Sequence, residues 1–259
     1  MRLKLNLSVL SKHAEIPVNY QYELSSWIYK TLNFGNPEFS DWLHSEGYLN
    51  ENKQFKLFTF SRLLIPKYKI NGNRLKILSD EISLIVSFLP DKAIETFVTG
   101  IFKHQKFGIG DKQSRAVFTI KSVERTPEPE FSNKMKYSCL SPVFIDKIID
   151  GKTHKKHLSP ADDSFEELFS NNLISKLLAN DRFSELNPGK VRIIINGKGK
   201  KNGVLIKAGT PQETHLIAYM FDFELQAPVE LQRIGYYAGF GRLNSQGFGC
   251  CKIIQNDPG

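Results

Sequence analysis

Two prolines within five residues divide this chain near its midpoint. The segment Thr126-Pro127-Glu128-Pro129-Glu130 cannot pair as a regular strand, because proline fixes φ and lacks a backbone N–H, so 126–131 is predicted to be a linker. On each side the hydrophobic pattern predicts the same order of strand, helix, strands, helix and strand. The chain has 259 residues, enough for two separate cores. We therefore predict an α+β fold with two tandem ferredoxin-like (RRM-like) domains, 1–125 and 132–259; a single mixed α+β domain is the alternative.

Alternating and helical periods locate the elements of the N-terminal half. Residues 1–10 alternate apolar and polar side chains, which predicts a strand rather than a signal peptide. After Pro17, apolar residues recur every three or four positions through residue 32, which predicts an amphipathic helix. A second short helix should begin after Asn36, a favourable N-cap followed by proline, and end at Gly47. Strands are predicted at 55–62, 74–78, 81–88 and 116–123, and a third helix at 90–102.

The C-terminal half repeats this order without a recognisable sequence repeat. Its predicted strands are 136–144, 191–196, 203–207, 214–225 and 248–254, and its predicted helices are 160–178 and 229–237. Lys198, Lys200 and Lys201 belong to a basic stretch, 198–203, that is predicted to be a turn. They fit either contacts with RNA phosphates or a solvated hairpin tip. The segment 151–157, with two histidines among lysines, is predicted to be a mobile basic loop.

The charge balance favours a polyanionic partner. The chain has 35 Lys and Arg against 27 Asp and Glu, a net charge of +8 and an isoelectric point near 9.2. Its three cysteines are too few for a disulfide framework or a four-ligand zinc site, which indicates a reducing, cytoplasmic setting. No apolar run is long enough to span a bilayer, so no membrane partner is expected. No metal-ligand cluster or nucleotide motif stands out, so no metal or cofactor is predicted.

Residues 239–249 repeat a Gly-Phe-Gly unit around a polar centre. Glycine tolerates positive φ and lets a phosphate approach its backbone closely, so the segment is suited to an anionic backbone. It is not a Walker loop, because no Lys-Ser or Lys-Thr pair follows the glycines. It is not a dinucleotide-binding loop either, because Asn244 stands where the third glycine should be. Composition alone supports an anion cradle and a plain turn equally. The predicted RNA-binding residues of this loop are Gly239, Gly241, Arg242, Asn244, Ser245, Gln246, Gly247 and Gly249.

Two ferredoxin-like halves that end in such a loop resemble the RAMP superfamily. The N-terminal residues resemble its CRISPR-repeat endoribonucleases, which cut precursor CRISPR RNA within each repeat, and the resemblance covers nearly the whole chain. The matching segments are 17–32, Leu43-His44, 56–61 and 239–249. The resemblance implies catalytic roles for a tyrosine of the first helix, the following histidine and a lysine just before the second strand. These roles fall on Tyr29, His44 and Lys56.

The residues themselves leave an alternative for each member of this trio. Tyr29 falls off the apolar stripe of its predicted helix, as either a ligand-facing phenol or a surface tyrosine would. His44 flanks the apolar stripe of the second helix and fits either catalysis or an interaction with the helix dipole. Lys56 enters a predicted strand on the face of Phe58 and Phe60, where a snorkelling lysine is the alternative.

The implied chemistry is metal-independent cleavage by a ribose 2′-OH, which leaves a 2′,3′-cyclic phosphate (or 3′-phosphate) and a 5′-OH. Histidine can transfer protons near neutral pH, lysine stabilises negative charge, and tyrosine can orient the nucleophile. Whether His44 is the acid or the base stays open. The alternative function is a non-catalytic RNA-binding subunit of a CRISPR effector complex. The predicted partner is CRISPR repeat RNA, precursor or mature, with an effector complex as a further candidate; the protein is expected to be a monomer or homodimer.

Overall fold

The computed structural model describes residues 1–149, 154–180 and 189–254, which form a mixed α/β fold with two domains. The helices are α1 (Gln21–Gly35), α2 (Pro37–Ser45), α3 (Asp91–Lys103), α4 (Phe165–Leu178) and α5 (Val229–Ala238). The strands of the first domain are β1 (Arg2–Val9), β2 (Glu15–Pro17), β3 (Tyr48–Asn50), β4 (Lys53–Phe55), β5 (Phe58–Phe60), β6 (Tyr68–Asn71), β7 (Arg74–Ile77), β8 (Glu81–Phe88), β9 (Lys106–Gly110) and β10 (Arg115–Arg125). Those of the second are β11 (Lys134–Cys139), β12 (Asp146–Ile149), β13 (His154–His157), β14 (Arg192–Ile206), β15 (Thr214–Gln226) and β16 (Cys251–Ile253).

The first domain is built on an antiparallel sheet with β1 at its centre. The strand order is β5–β8–β1–β10–β9, and Leu5 of β1 lies opposite Leu84 of β8 and Val123 of β10. Helices α1 and α3 share the hydrophobic core with this sheet. They approach closely at Gly100, where a Cβ would lie 1.8 Å from the Thr31 carbonyl oxygen. The predicted amphipathic helices and the first strand are confirmed, because their apolar residues form this core.

The second domain has a four-stranded antiparallel sheet in the order β14–β15–β11–β16, which shares its core with α4 and α5. The order matches β5–β8–β1–β10 of the first domain. When the four main strands of each domain are numbered along the chain, their order across the sheet is second, third, first, fourth. In each domain a helix follows the first and the third main strand along the chain. The repeated element order predicted from the sequence is therefore a repeated topology.

The basic stretch 198–203 is not a turn, so that prediction is wrong. It lies within the continuous strand β14, and the chain reverses later, between β14 and β15. Asn196 pairs with Asp222 and Lys200 with Met220, so a bulge of the intervening residues contains Gly199, whose φ is +71°, whereas Gly203 pairs with Ile217 in the regular ladder. The predicted loop 151–157 is wrong in part, because β13 pairs with β12; residues 150–153 lie outside the described residues.

A buried arginine joins the two domains. Arg2, 3% exposed, donates from Nη1 to the Cys251 carbonyl at 2.7 Å, and its guanidinium carbon lies 3.6 Å from the centroid of the Tyr236 ring. Because β1 is central in the first sheet, this contact ties the middle of one domain to α5 and β16 of the other. Within the described ranges, no helix combines the length and apolar character needed to cross a membrane.

Candidate active site

Tyr29, His44 and Lys56 lie side by side and form what we call the trio patch. The ring centroids of Tyr29 and His44 are 5.2 Å apart, with the ring planes at 80°. Lys56 Nζ donates to the backbone carbonyls of His44, at 2.8 Å, and Glu46, at 3.4 Å. His44 is exposed, whereas Tyr29 and Lys56 are half-buried. A phenol, an imidazole and an ammonium thus meet at one surface, and their catalytic roles stay predictions.

Local signals in the sequence of α2 fix the position of His44. The Asn36 side chain accepts the backbone N–H of Phe39 at 3.0 Å, and Pro37 is the first helical residue, so the predicted start is confirmed. Gly47, with a left-handed φ of +67°, follows the end of the helix as predicted. His44 therefore lies in the last turn of α2, just before the chain reverses into β3.

Lys56 lies in a two-residue connection, so the prediction that it enters a strand is wrong. The strand predicted over 55–62 breaks because β4 pairs with β3 whereas β5 pairs with β8, and the chain changes sheets with Leu57 at φ +51°. Gly47 leaves room for the lysine, since a Cβ there would lie 3.2 Å from Lys56 Nζ and 2.7 Å from the Phe55 carbonyl oxygen. Burial lowers the pKa of Lys56 below its usual value.

Tyr29 faces the second domain rather than open solvent. Its ring packs edge-on against Phe58 with centroids 5.5 Å apart. Burial raises the pKa of Tyr29, and the polar side chain of Ser245 opposes that shift. One helical turn earlier, the Ser25 hydroxyl donates to the Ser245 carbonyl at 2.6 Å. The polar side of α1 is therefore a contact between domains.

The glycine-rich loop, residues 239–249, packs against the first domain. Its glycines are buried and have φ between +70° and +91°: Gly239, Gly241, Gly247 and Gly249. A Cβ on the first would lie 2.9 Å from Thr59 Cβ, and one on the third would lie 2.8 Å from the Phe60 ring. The glycines thus allow close packing of protein on protein, and their contacts with RNA stay a prediction.

Two side chains hold this loop together, one from within it and one from α4. Asn244 Nδ2 donates to the carbonyls of Phe240, at 3.1 Å, and Phe248, at 3.0 Å. Lys176 of α4, 2% exposed, donates from Nζ to the carbonyls of Gly239 and Gly241, both at 2.6 Å. Burial lowers the pKa of Lys176 well below its usual value. Both amide protons of Asn244 are engaged inside the loop, although the sequence suggested them as donors to RNA.

Arg242 and Gln246 line a groove of about 540 Å³ beside the loop, together with Lys155 and His157. Arg242 is half-exposed and forms an ion pair with the buried carboxylate of Asp146. Lys155 Nζ lies 4.0 Å from the other oxygen of the same carboxylate. Asp146 thus holds two cations at the edge of a groove that basic, neutral polar and apolar side chains line together.

The three predicted RNA-binding lysines of β14, Lys198, Lys200 and Lys201, are exposed. Asn202, next along the strand, accepts a hydrogen bond from Arg62 Nη2 of the first domain at 2.8 Å. This contact brings the basic stretch alongside the first domain. The binding of RNA by these lysines stays a prediction.

Neither Lys176 nor Ser25 was predicted from the sequence to be a functional residue. Lys176 follows Phe169 and Leu173 at spacings of seven and three, which places a lysine on the apolar stripe of α4. Ser25 precedes Tyr29 by four residues and so shares its helix face, which the sequence left as either ligand-facing or at the surface. The sequence signals that could have identified them were a lysine in an apolar stripe and a row of polar residues on one helix face.

Comparisons with known proteins cover nearly the whole chain. Residues 15–124 match the family model of CRISPR-associated protein Cas6, N-terminal, and residues 126–253 match that of CRISPR-associated protein Cas6, C-terminal. The CRISPR-associated endoribonuclease Cas6 1 of Methanocaldococcus jannaschii is 28% identical, over 99% of this chain and 94% of its own length.

A CRISPR-associated endoribonuclease-like protein Cas6 of Pyrococcus furiosus is 30% identical, over 98% of this chain and 99% of its own length. The solved structure of a Cas6-related gene product from Pyrococcus furiosus has a TM-score of 0.80, with 28% identity and 99% of each chain covered. The resemblance to the CRISPR-repeat endoribonucleases is confirmed, and the chain belongs to the Cas6 family of CRISPR-associated endoribonucleases.

Proposed function

We propose that this protein is a metal-independent endoribonuclease that cuts precursor CRISPR RNA within its repeats. The observation that carries the proposal is the convergence of Tyr29, His44 and Lys56 in one accessible patch. The full-length similarity to a protein named a CRISPR-associated endoribonuclease supports the substrate class.

The reaction is an internal transesterification. The ribose 2′-OH loses its proton, its oxygen bonds to the adjacent phosphorus, the bond from phosphorus to the 5′-oxygen breaks, and that oxygen takes up a proton. The products are a 2′,3′-cyclic phosphate, which hydrolysis converts to a 3′-phosphate, and a 5′-OH. His44 is exposed in the trio patch and transfers one of these protons. Tyr29 orients the nucleophile.

Lys56 supplies positive charge where the pentacovalent phosphorus gains negative charge. An ammonium has three N–H donors, and two of them bond to the carbonyls of His44 and Glu46. The third is available to a phosphate oxygen. Because the two carbonyls fix the ammonium, it needs little rearrangement when the charge develops.

The repeat is held by the second domain and its glycine-rich loop. The binding groups are the predicted loop residues except Asn244, whose amide protons are engaged within the loop, the groove beside Arg242 and Gln246, and the exposed lysines Lys198, Lys200 and Lys201. Both domains are ferredoxin-like in this proposal, since their strand order fits that motif. In this proposal a linker at 126–131 separates the two domains, and the protein is a monomer or homodimer in the cytoplasm. An effector complex receives the product.

The test is cleavage of labelled repeat RNA in excess EDTA. We expect cutting with 2′,3′-cyclic phosphate ends, and none when the scissile nucleotide is 2′-deoxy; a deoxy nucleotide elsewhere in the repeat is the control. His44→Ala should bind RNA like the wild type but cleave about 10²- to 10⁴-fold more slowly, whereas His13→Ala, which alters an exposed histidine outside the patch, should cleave normally. Loss of cutting in EDTA would indicate a metal-dependent nuclease. Tight binding without cutting would indicate the non-catalytic subunit.

A further inference from the structure

The groove beside the glycine-rich loop is built from segments that lie far apart in the sequence. Phe144 and Arg242 form an antiparallel bridge, in which the Arg242 backbone N–H donates to the Phe144 carbonyl at 2.8 Å. Asp146 and His157 lie directly opposite each other where β12 pairs with β13, so their side chains share one face of that ribbon. All four residues line the groove. Its volume of about 540 Å³ is in the usual range of pockets for small ligands.

His157 is held in one orientation and one tautomer. Its ring packs edge-on against Phe144, with centroids 5.1 Å apart and ring planes at 66°. Its Nδ1 accepts the backbone N–H of Ile217 in β15 at 3.2 Å. Because a ring nitrogen that accepts a hydrogen bond carries no proton, the ring proton is on Nε2. Among the residues that the structure describes, Nε2 has no hydrogen-bond partner, so His157 presents one N–H donor of fixed direction to the groove that it lines.

The groove has a positively charged rim and partly apolar walls. The side chains of Arg242 and Lys155 are 46% and 59% exposed, whereas that of Asp146, the carboxylate between them, is 5% exposed. Lys207 also lines the groove and is exposed. Apolar side chains contribute to the walls: Phe144, Ile206, Leu216 and Leu243. Three cations against one buried carboxylate leave net positive charge for a phosphate, and the apolar walls suit the flat faces of a nucleobase.

We propose that the groove binds one unstacked nucleotide of the repeat, whose base accepts a hydrogen bond from His157 Nε2–H while its phosphate lies at Arg242 and Lys155. Proteins read RNA sequence mainly through unstacked single-stranded bases, whose edges carry ring nitrogens and carbonyl oxygens as acceptors. Because its tautomer is fixed, His157 favours a base with an acceptor at that position and disfavours one with an amino group there. The inference rests on the proposed function and deepens it, because it assigns base recognition to one residue outside the trio patch.

The test is equilibrium binding of repeat RNAs in which one ribonucleotide at a time is abasic. For the wild type, one abasic position should weaken binding about tenfold, the effect of losing one hydrogen bond and its packing. His157→Phe keeps a ring but removes the donor, so it should bind the intact repeat about tenfold more weakly. His157→Gln, which keeps an N–H donor, should restore part of that affinity. His215→Phe is the control, because His215 is exposed and lies between the groove-lining Thr214 and Leu216, so it points to the opposite face of β15.

Combining the variant with the abasic RNAs shows whether His157 acts on one base. At the sensitive position the abasic penalty should largely disappear in His157→Phe, because both changes remove the same contact, whereas His215→Phe should keep it. An abasic profile of His157→Phe equal to that of the wild type would overturn the inference. Unchanged affinity with slower single-turnover cleavage would do the same, since it would place His157 in the chemistry. Binding without cutting by the wild type would refute the proposed catalytic function and leave the base contact standing.

NMR of the wild-type protein tests the same contact without relying on a variant that must fold. With ¹⁵N-labelled histidine, and the His157 ring signals assigned from the His157→Gln protein, the spectrum shows which ring nitrogen carries the proton. We expect the proton on Nε2, and a shift of that signal when the intact repeat binds but not when the RNA is abasic at the sensitive position. A proton on Nδ1, or no shift at saturating repeat, would overturn the inference whatever the cleavage activity.

Discussion

Replacement of Lys176 by methionine should change how the stability of the protein depends on pH. Lys176 Nζ is buried and donates to the carbonyls of Gly239 and Gly241 at 2.6 Å. A neutral amine has two N–H donors, so two carbonyl acceptors satisfy it without a counterion. Burial lowers the pKa of Lys176 well below its usual value, which favours that neutral form.

The sign follows from proton linkage. Between the lowered pKa of the folded state and the unfolded value of about 10.4, the unfolded chain binds more protons, so stability rises with pH. The free energy of unfolding should gain up to about 1.4 kcal/mol per pH unit from this residue. Lys176→Met removes that dependence and leaves two buried carbonyls without a donor, at a cost of about 1–3 kcal/mol each. Its deficit should therefore be largest at high pH and shrink as pH falls.

Urea unfolding of the wild type and Lys176→Met from pH 7 to 10 gives the difference between their free energies of unfolding at each pH. The contributions of ionisable groups that both proteins share cancel in that difference. Lys112→Met, at an exposed lysine, is the control for the loss of one surface charge and should change the free energy of unfolding by less than about 0.5 kcal/mol. A gap between wild type and Lys176→Met that stays constant over this range would refute the reasoning, since it would mean that Lys176 stays protonated in the folded protein.

Three further predictions concern binding, packing and catalysis. Arg242→Ala should reduce the log–log salt dependence of repeat binding by about 0.7, the value for one phosphate of a single strand, and an unchanged slope in filter-binding titrations would remove that contact. Gly249→Ala should lower the free energy of unfolding by more than about 2 kcal/mol, because a Cβ would lie 1.8 Å from the Phe240 carbonyl oxygen at φ +74°. Gly203→Ala, where a Cβ would meet open space, should lower it by less than about 1 kcal/mol. Equal urea midpoints for the two variants would contradict this. Single-turnover cleavage should fall at alkaline pH as the lowered pKa of Lys56 is passed, and Lys56→Arg should move that fall to higher pH; identical profiles would argue against a role for the ammonium charge.

Signals that act over a few residues were sufficient to locate His44 of the trio patch. The Asn36 cap, the proline after it and Gly47 are all read within a dozen positions, and they place His44 correctly at the end of α2. Periodicity likewise located α1 and α3, because their buried stripes depend on the helix repeat and not on which partner covers them.

Features set by distant partners could not be predicted in this way. The stretch 198–203 has the glycines and lysines of a turn, yet pairing with β15 draws it into a strand and leaves a bulge. Lys56 was placed in a strand because nothing local shows that the chain changes sheets at Leu57. In both cases tertiary pairing overrides local composition.

The polar face of Tyr29 is the most informative of these differences. A polar stripe on a helix normally indicates solvent, but the Ser25 hydroxyl of this face donates to the carbonyl of Ser245, in a loop that lies 220 positions away along the chain. That loop is fixed to the second domain by Lys176 and to the first by Thr59, while Arg2 joins the two domains elsewhere. With several fixed points between the domains, the loop is held against the polar face of α1. The trio is therefore complete within the first domain as a sequence motif, but the helix face that carries Tyr29 is also a contact with the second domain.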